Sequence, residues 1–193
     1  MMLSGCNLLP NGILPLFIFE PRYRAMIAHT LMHDRMVCIG TLTGDQGDES
    51  DAALSPFSTA GLLRACVQNP DGTFHALLEG IQRIRFTGWE QRKPFRIASI
   101  EPLETIHRDA EEVPALNQEL VQSTLRYLRK TPGGAPSEVE EHLAALNCPE
   151  QITDFIAASI IRDAGITQPM LGIASLPKRM RVVLRALESP GEM

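Results

Sequence analysis

Leu14-Pro15-Leu16-Phe17-Ile18-Phe19-Glu20-Pro21-Arg22-Tyr23-Arg24 decides how this chain begins to fold. Its first six residues are apolar, rich in strand formers and too few for a buried helix, so they predict a strand. Pro21 ends that strand: it has no N–H for a ladder, and it restricts the residue before it. The same ring suits the first turn of a helix, where no N–H partner is required. The stretch therefore reads as a strand that turns sharply into a helix starting near Arg22.

Downstream of this corner, short β-like runs continue to about residue 104. Met36 to Leu42 predicts one strand, and the polar Gly44–Asp51 segment after it a surface loop. Thr59 to Gln68 predicts a strand with Leu63, Ala65 and Val67 inward. Asn69-Pro70-Asp71-Gly72 is a strong turn, because Pro sets φ, Asp caps and Gly accepts positive φ. Phe74 to Glu79 returns as the hairpin partner, and Gly80 is expected to break it. Gln82 to Trp89 then places Ile84 and Phe86 inward and Arg83 and Arg85 outward, and Phe95 to Glu101 gives a last strand. Six short strands with one early helix imply a curled antiparallel sheet or small β-barrel. Upstream of the corner, only Met1 to Ser4 could supply a further strand.

From about residue 112 the period changes to helical. Leu116, Leu120, Val121, Leu125 and Leu128 make one stripe. Thr131 to Pro136 is a break, and Ser137-Glu138-Val139-Glu140 has capping-box spacing. Pro149 opens a further helix that Gly165 is expected to end. Thr167 is read as the cap of a short helix and Ser175 as the cap of the last one. Single-striped helices must pack on one another, which predicts a bundle. The fold class is thus α+β: a β-rich unit over residues 1–106, a helical bundle over 112–188, and a loose tail at 189–193.

The chain has 193 residues and a net charge of −5. That balance counts against a whole-surface nucleic-acid binder. Only three of the 18 basic residues are lysines (Lys93, Lys130, Lys178), so lysine-based covalent chemistry has few candidates. Cys6, Cys38, Cys66 and Cys148 form no C-x-x-C pair and no zinc-like cluster. Cys38 and Cys66 sit in apolar runs and are expected to be buried inert thiols, a usage that fits the reducing cytoplasm. Leu3-Ser4-Gly5-Cys6 looks like a lipoprotein cleavage box, but it has no basic or apolar leader before it and is read as a chance match. No run of 18 apolar residues predicts a membrane span.

The corner, together with Gly61-Leu62-Leu63-Arg64-Ala65, Pro70-Asp71-Gly72-Thr73, Leu77-Leu78-Glu79-Gly80-Ile81-Gln82-Arg83 and Pro94-Phe95-Arg96-Ile97-Ala98, resembles the N-terminal, substrate-binding domain of Lon-type proteases. Pro149 to Ala157, Gln168 to Leu171 and Ser175 to Leu184 continue the likeness through the helical half. The resemblance implies a PUA-like sheet followed by a helical bundle. It also implies recognition of unfolded or tagged polypeptides, with a separate protease as a further partner. No G-x-x-x-x-G-K-[ST] phosphate loop occurs, and no Ser-Lys protease domain is expected after residue 187. The expectation is therefore a stand-alone, non-catalytic and ATP-independent adaptor with no cofactor, no metal and no catalytic residues.

Phe17, Phe19 and Tyr23 are the candidate apolar contacts for a peptide on a sheet edge or groove. Glu20, Arg22 and Arg24 flank the corner and read first as ion pairs that fix it; Glu79 with Arg83 reads the same way. The alternative function is RNA binding through the basic stretch 83–96, where Arg83, Arg85, Arg92, Lys93 and Arg96 interleave with Trp89 and Phe95. A solvated strand face explains Arg83 and Arg85 more simply. His29 and His33 have i, i+4 metal-binding spacing but no third ligand, so they read as exposed helix histidines.

Overall fold

The computed structural model describes residues 1–42, 54–91, 94–130 and 137–188. The chain divides into two compact units, Met1–Leu103 and Glu104–Met193. The first unit contains β1 (Met2–Ser4), β2 (Ile13–Ile18), α1 (Pro21–Leu31), β3 (Met36–Cys38), β4 (Gly40–Leu42), β5 (Phe57–Gln68), β6 (Phe74–Gln91) and β7 (Arg96–Pro102). The second contains α2 (Val113–Lys130), α3 (Ser137–Ala145), α4 (Pro149–Ile156), a π-helical turn (Ala157–Ile161), α5 (Ala164–Leu171) and α6 (Leu176–Glu188). None of these helices is long and apolar enough to cross a membrane, among the described residues.

Residues of the corner behave as their chemistry dictates. Glu20 is extended (φ −63°, ψ 132°) and Pro21 occupies the first helical turn. β2 lies at one edge of an antiparallel sheet of order β2-β6-β5-β3, with β7 also pairing β6. Among the described residues the sheet does not close into a barrel. β1 forms from Met2–Ser4 as the sequence allows, but it pairs in parallel with β4 in a separate two-stranded sheet. The expected Met36–Leu42 strand is split at Ile39 for that reason: β3 pairs with β5 while β4 turns to β1.

Gly80 does not break a strand. β6 runs unbroken for 18 residues, and Gly80 is where the Leu9–Gly12 segment crosses it. A Cβ there would overlap the Leu9 carbonyl. The Asn11 N–H donates to the Gly80 carbonyl at 2.8 Å and the Gly80 N–H to that of Gly12 at 2.9 Å. The glycine provides close backbone approach rather than a turn.

Bulges reset which residues face the core. β5 carries an extra residue, Arg64, between the pairs Leu63↔Leu78 and Ala65↔Leu77. Leu63 is buried, but Ala65 and Val67 are exposed, and Cys66 packs against the core instead. The expected inward set is therefore wrong beyond Leu63, because one inserted residue inverts the alternation. Below the sheet, Ile18, Tyr23, Met26, Ile27, Val37 and Leu78 belong to one buried cluster. Cys38 and Cys66 are half-buried rather than fully buried, and burial raises both thiol pKa values.

In the second unit α2 packs on α4 and α6. Leu120, Ile152, Ile156, Met180, Val183 and Leu187 fill the core. The helix opened by Pro149 passes into a π turn and ends at Arg162, which takes the left-handed conformation at φ 56°. Gly165 instead lies in the first turn of α5. The cap of α5 is Asp163, whose carboxylate accepts the Gly165 N–H at 2.7 Å, not Thr167.

Candidate functional site

Alternation along β2, an edge strand, leaves Ile13 and Phe17 outward and sinks Ile18 into the core. The register carries the outward row across three strands: Phe17 opposes His75, and His75 opposes Val67. The next row is Pro15, Leu77 and Ala65. Phe17 and Phe19 stack with centroids 6.1 Å apart, and Phe17 also meets His75 at 5.0 Å. Exposure is 55% for Ile13, 55% for Phe17, 61% for Phe19 and 63% for Val67. These side chains are exposed side by side on one sheet face rather than scattered singly. The β2 edge beside them carries no charge that would discourage pairing, and only Pro15 interrupts its donors.

Phe17 and Phe19 thus lie on one surface. Glu20 and Arg22 form the ion pair that fixes the corner, at 2.9 Å. Arg22 also lies over the Tyr23 ring, 4.6 Å from its centroid. Tyr23 is buried, and its hydroxyl donates to the Met2 carbonyl at 3.1 Å. Glu79 accepts from Arg64 of the neighbouring strand. Arg83 is 2% exposed, so it is no part of a solvated face. It sits on the central strand opposite Thr59, with Leu103 bonded to its carbonyl. Arg85 pairs with Glu101 of β7 at 2.8 Å. The basic stretch is therefore not one stripe: Arg83 is buried, Arg85 is paired, and Arg92 and Lys93 lie outside the described residues. The Gly44–Asp51 loop, the Thr131–Pro136 break and the 189–193 tail also lie outside them. Sequence reasoning missed Ile13, Leu77, His75 and Val67. The alternation of β2 could have supplied Ile13; the bulge at Arg64 hid Val67.

The first unit also has a cleft of ≈ 580 Å³. Tyr23, Met26, His29 and Thr30 of α1 form one side, and Phe86, Trp89, Ala98 and Ile100 of the β6–β7 hairpin line it as well. The sequence alone puts Phe86 and Trp89, three apart, on opposite faces of a strand. An inserted residue at Thr87 brings them together: Phe86 pairs Ile100 and Trp89 pairs Ala98, so both face the same way, with centroids 4.7 Å apart. His29 and His33 stack at 3.9 Å, and the His33 ring bonds the His29 carbonyl at 2.7 Å. No group of three or more His, Cys, Asp or Glu residues is placed to hold a metal, among the described residues.

An antiparallel sheet with exposed apolar side chains on one face, followed in the chain by a helical bundle, defines a mixed α and β protein. The model of the ATP-dependent protease La (LON) substrate-binding domain matches residues 1–189, and the chain belongs to that family. The chain is 24% identical over 189 residues to the Lon protease of Desulfosudis oleivorans, covering 97% of this chain and 23% of that protein. It is 23% identical over 183 residues to the Lon protease of Escherichia coli strain K12, covering 93% of this chain and 23% of that protein. The chain thus spans about a quarter of the length of these relatives. Among solved structures, the N-terminal domain of Mycobacterium avium complex Lon protease superposes with a TM-score of 0.79 at 13% identity, covering 99% of this chain and 97% of the other. A Lon N-terminal domain protein from Xanthomonas campestris gives 0.66 at 15% identity, with 95% of each chain covered. At such identities the superpositions speak for the fold alone.

Proposed function

We propose that this protein recognises non-native or tagged polypeptides through the apolar face of β2, β6 and β5, and that it works by binding rather than by catalysis. The observation that carries this reading is the exposed row Phe17–His75–Val67 with Ile13 and Phe19 beside it. A folded client hides its apolar side chains, whereas an unfolded one offers them. Contact between two apolar surfaces is then favourable by roughly 25 cal/mol per Å² removed from water. An extended client segment has a second means of attachment, backbone pairing along the β2 edge. The family's substrate-binding description supports the same reading. The protein would serve as an adaptor that hands clients to a separate protease, in the cytoplasm, where its four free cysteines stay reduced.

Binding of one model protein measured in native and chemically unfolded form tests this. Retention of the unfolded form alone is the expected result. Equal retention of both, or of neither, refutes the reading.

A further inference from the structure

We infer that the cleft of the first unit binds a small molecule bearing an aromatic ring and selects it by that ring, not by charge, at a site separate from the polypeptide surface. Its volume of ≈ 580 Å³ lies within the few-hundred to thousand Å³ range of small-molecule sites, whose walls are largely hydrophobic and aromatic. Ring surface reaches this cleft from separate parts of the chain. The bulge at Thr87 turns Phe86 and Trp89 to one face, with centroids 4.7 Å apart, and both line the cleft. Phe95 lines it just before β7, and α1 supplies His29, whose ring meets Phe95 at 5.4 Å. Bulges that re-aim side chains cluster beside functional sites. An aromatic ring has a negative face and a positive edge, so aromatic walls hold a flat ring by offset stacking or edge contact. Met26 and Met36 line the same cleft, and thioether sulfurs contact ring edges favourably.

Arg22, Asp34 and Arg96 also line the cleft, and each is already engaged. Arg22 pairs with Glu20 at 2.9 Å, Arg96 has a partner of its own, and the Asp34 carboxylate accepts the Met36 N–H at 3.0 Å. Charges of both signs, each held by another group, give a ligand of either sign little to gain. The rings, by contrast, offer contacts that an aliphatic group of the same shape cannot make. Selectivity therefore falls to the ring. None of Ile13, Phe17, Phe19 and Val67 lines the cleft, so the inference does not depend on the proposed polypeptide surface.

Trp89 is the chain's single tryptophan and therefore reports on this cleft alone. The probes are 3-phenylpropan-1-ol, its acid and amine counterparts 3-phenylpropanoate and 3-phenylpropylamine, and 3-cyclohexylpropan-1-ol, with emission excited where none of them absorbs. The cyclohexyl compound is read by its competition with the phenyl alcohol. The expected result is a saturable change in Trp89 emission with the phenyl alcohol. The acid and the amine should match its Kd within about threefold, and added salt should leave them unchanged. The cyclohexyl alcohol should bind about threefold or more weakly. Burial of apolar area alone would rank the bulkier saturated ring level or ahead, so the order of the two alcohols decides whether the site reads a ring. Absence of a saturable change with the phenyl alcohol overturns the proposal, as does a cyclohexyl alcohol that binds as tightly. A gap between acid and amine of more than about threefold that salt abolishes overturns selection without charge. Phe86→Leu keeps an apolar wall and removes a ring: it should weaken the phenyl alcohol and leave the cyclohexyl one unchanged, and undiminished preference for phenyl in that variant counts against the ring wall. The comparison of ligands on the unmodified protein stands whatever the stability of the variant. Phe17→Ser with Phe19→Ser should leave the titration untouched; a loss there would overturn the separation of the two sites.

Discussion

Arg179 is fully buried in the second unit, and both terminal nitrogens of its guanidinium are hydrogen-bonded. One guanidinium nitrogen donates to the Ile173 carbonyl at 2.8 Å and the Ala174 carbonyl at 3.1 Å; the other reaches the Thr105 hydroxyl and the Glu150 carboxylate, both at 3.0 Å. Arg108 bonds the second oxygen of Glu150 at 2.9 Å, and the Thr105 hydroxyl donates to the first. Burial alone would raise the Glu150 carboxyl. The hydrogen bonds from Thr105 and Arg108 and the charges of Arg179 and Arg108 outweigh it and hold the pKa below the usual glutamate value. A carboxyl depressed on folding stabilises the protein above its unfolded pKa, and that contribution disappears as pH falls through the lower folded one. Glu150→Gln should therefore cost about 2–4 kcal/mol at neutral pH, because it strands a buried guanidinium. Denaturant titrations at pH 7 and in the acid range below the ordinary glutamate pKa of about 4.3 check this: the gap between the two proteins should narrow on acidification. A constant gap would mean that Glu150 acts by packing and not by charge. Part of this cluster was legible. Arg179 falls on the same helical stripe as Leu176, Val183 and Leu187, and an arginine on an inward stripe asks for a buried acid. Its partners were not, since Thr105 and Glu150 are 74 and 29 residues away in sequence.

At the scale of the element, the first unit depends on where its strands are allowed to be irregular. Gly80 lets the Leu9–Gly12 segment lie against β6, and any side chain there collides with backbone that has no rotamer to change. Gly80→Ala should destabilise by about 3 kcal/mol or more. Gly88→Ala is the matched control in the same strand, since its Cβ would meet only Ser99, at 3.8 Å, and should stay within about 0.5 kcal/mol. Thermal unfolding of the two variants checks the contrast; equal Tm losses would mean that glycine content, not backbone approach, governs β6. Strand positions were legible because apolar alternation and the Asn69–Gly72 turn are local signals. That turn forms as its chemistry demands: Gly72 has φ 78° and its N–H donates to the Asn69 carbonyl at 2.9 Å. Bulges were not legible. An extra residue such as Arg64 or Thr87 leaves the local composition unchanged and is fixed by cross-strand register, which one strand does not contain. Arg83 was misplaced for a related reason: strand polarity marks a face as solvated only when nothing else covers it.

Across the whole molecule, the change from a period of two to one of 3.6 near residue 104 marks where sheet gives way to helices, and along the chain the first compact unit ends at Leu103 and the second begins at Glu104. What periodicity cannot say is which apolar residues remain outside. Phe17 and Phe19 carry the same hydrophobic signal as Ile18, yet only Ile18 is buried. That difference makes function separable from folding. Side chains more than half exposed contribute little to the folded state, so Phe17→Ser with Phe19→Ser should shift unfolding by no more than about 1 kcal/mol. If the outer face captures clients, the same pair should lose most of its binding to unfolded polypeptide, because apolar contacts at the centre of such a surface carry most of its affinity. Leu78→Ala makes the opposite case: a fully buried leucine whose truncation should cost about 2–5 kcal/mol while the remaining folded protein still binds. Circular dichroism melts and pull-down of an unfolded client, run side by side on both variants, separate the two roles. Retained binding in the Phe17 and Phe19 variant would remove the outer face of the sheet from the mechanism, because no folding defect could then mask the result.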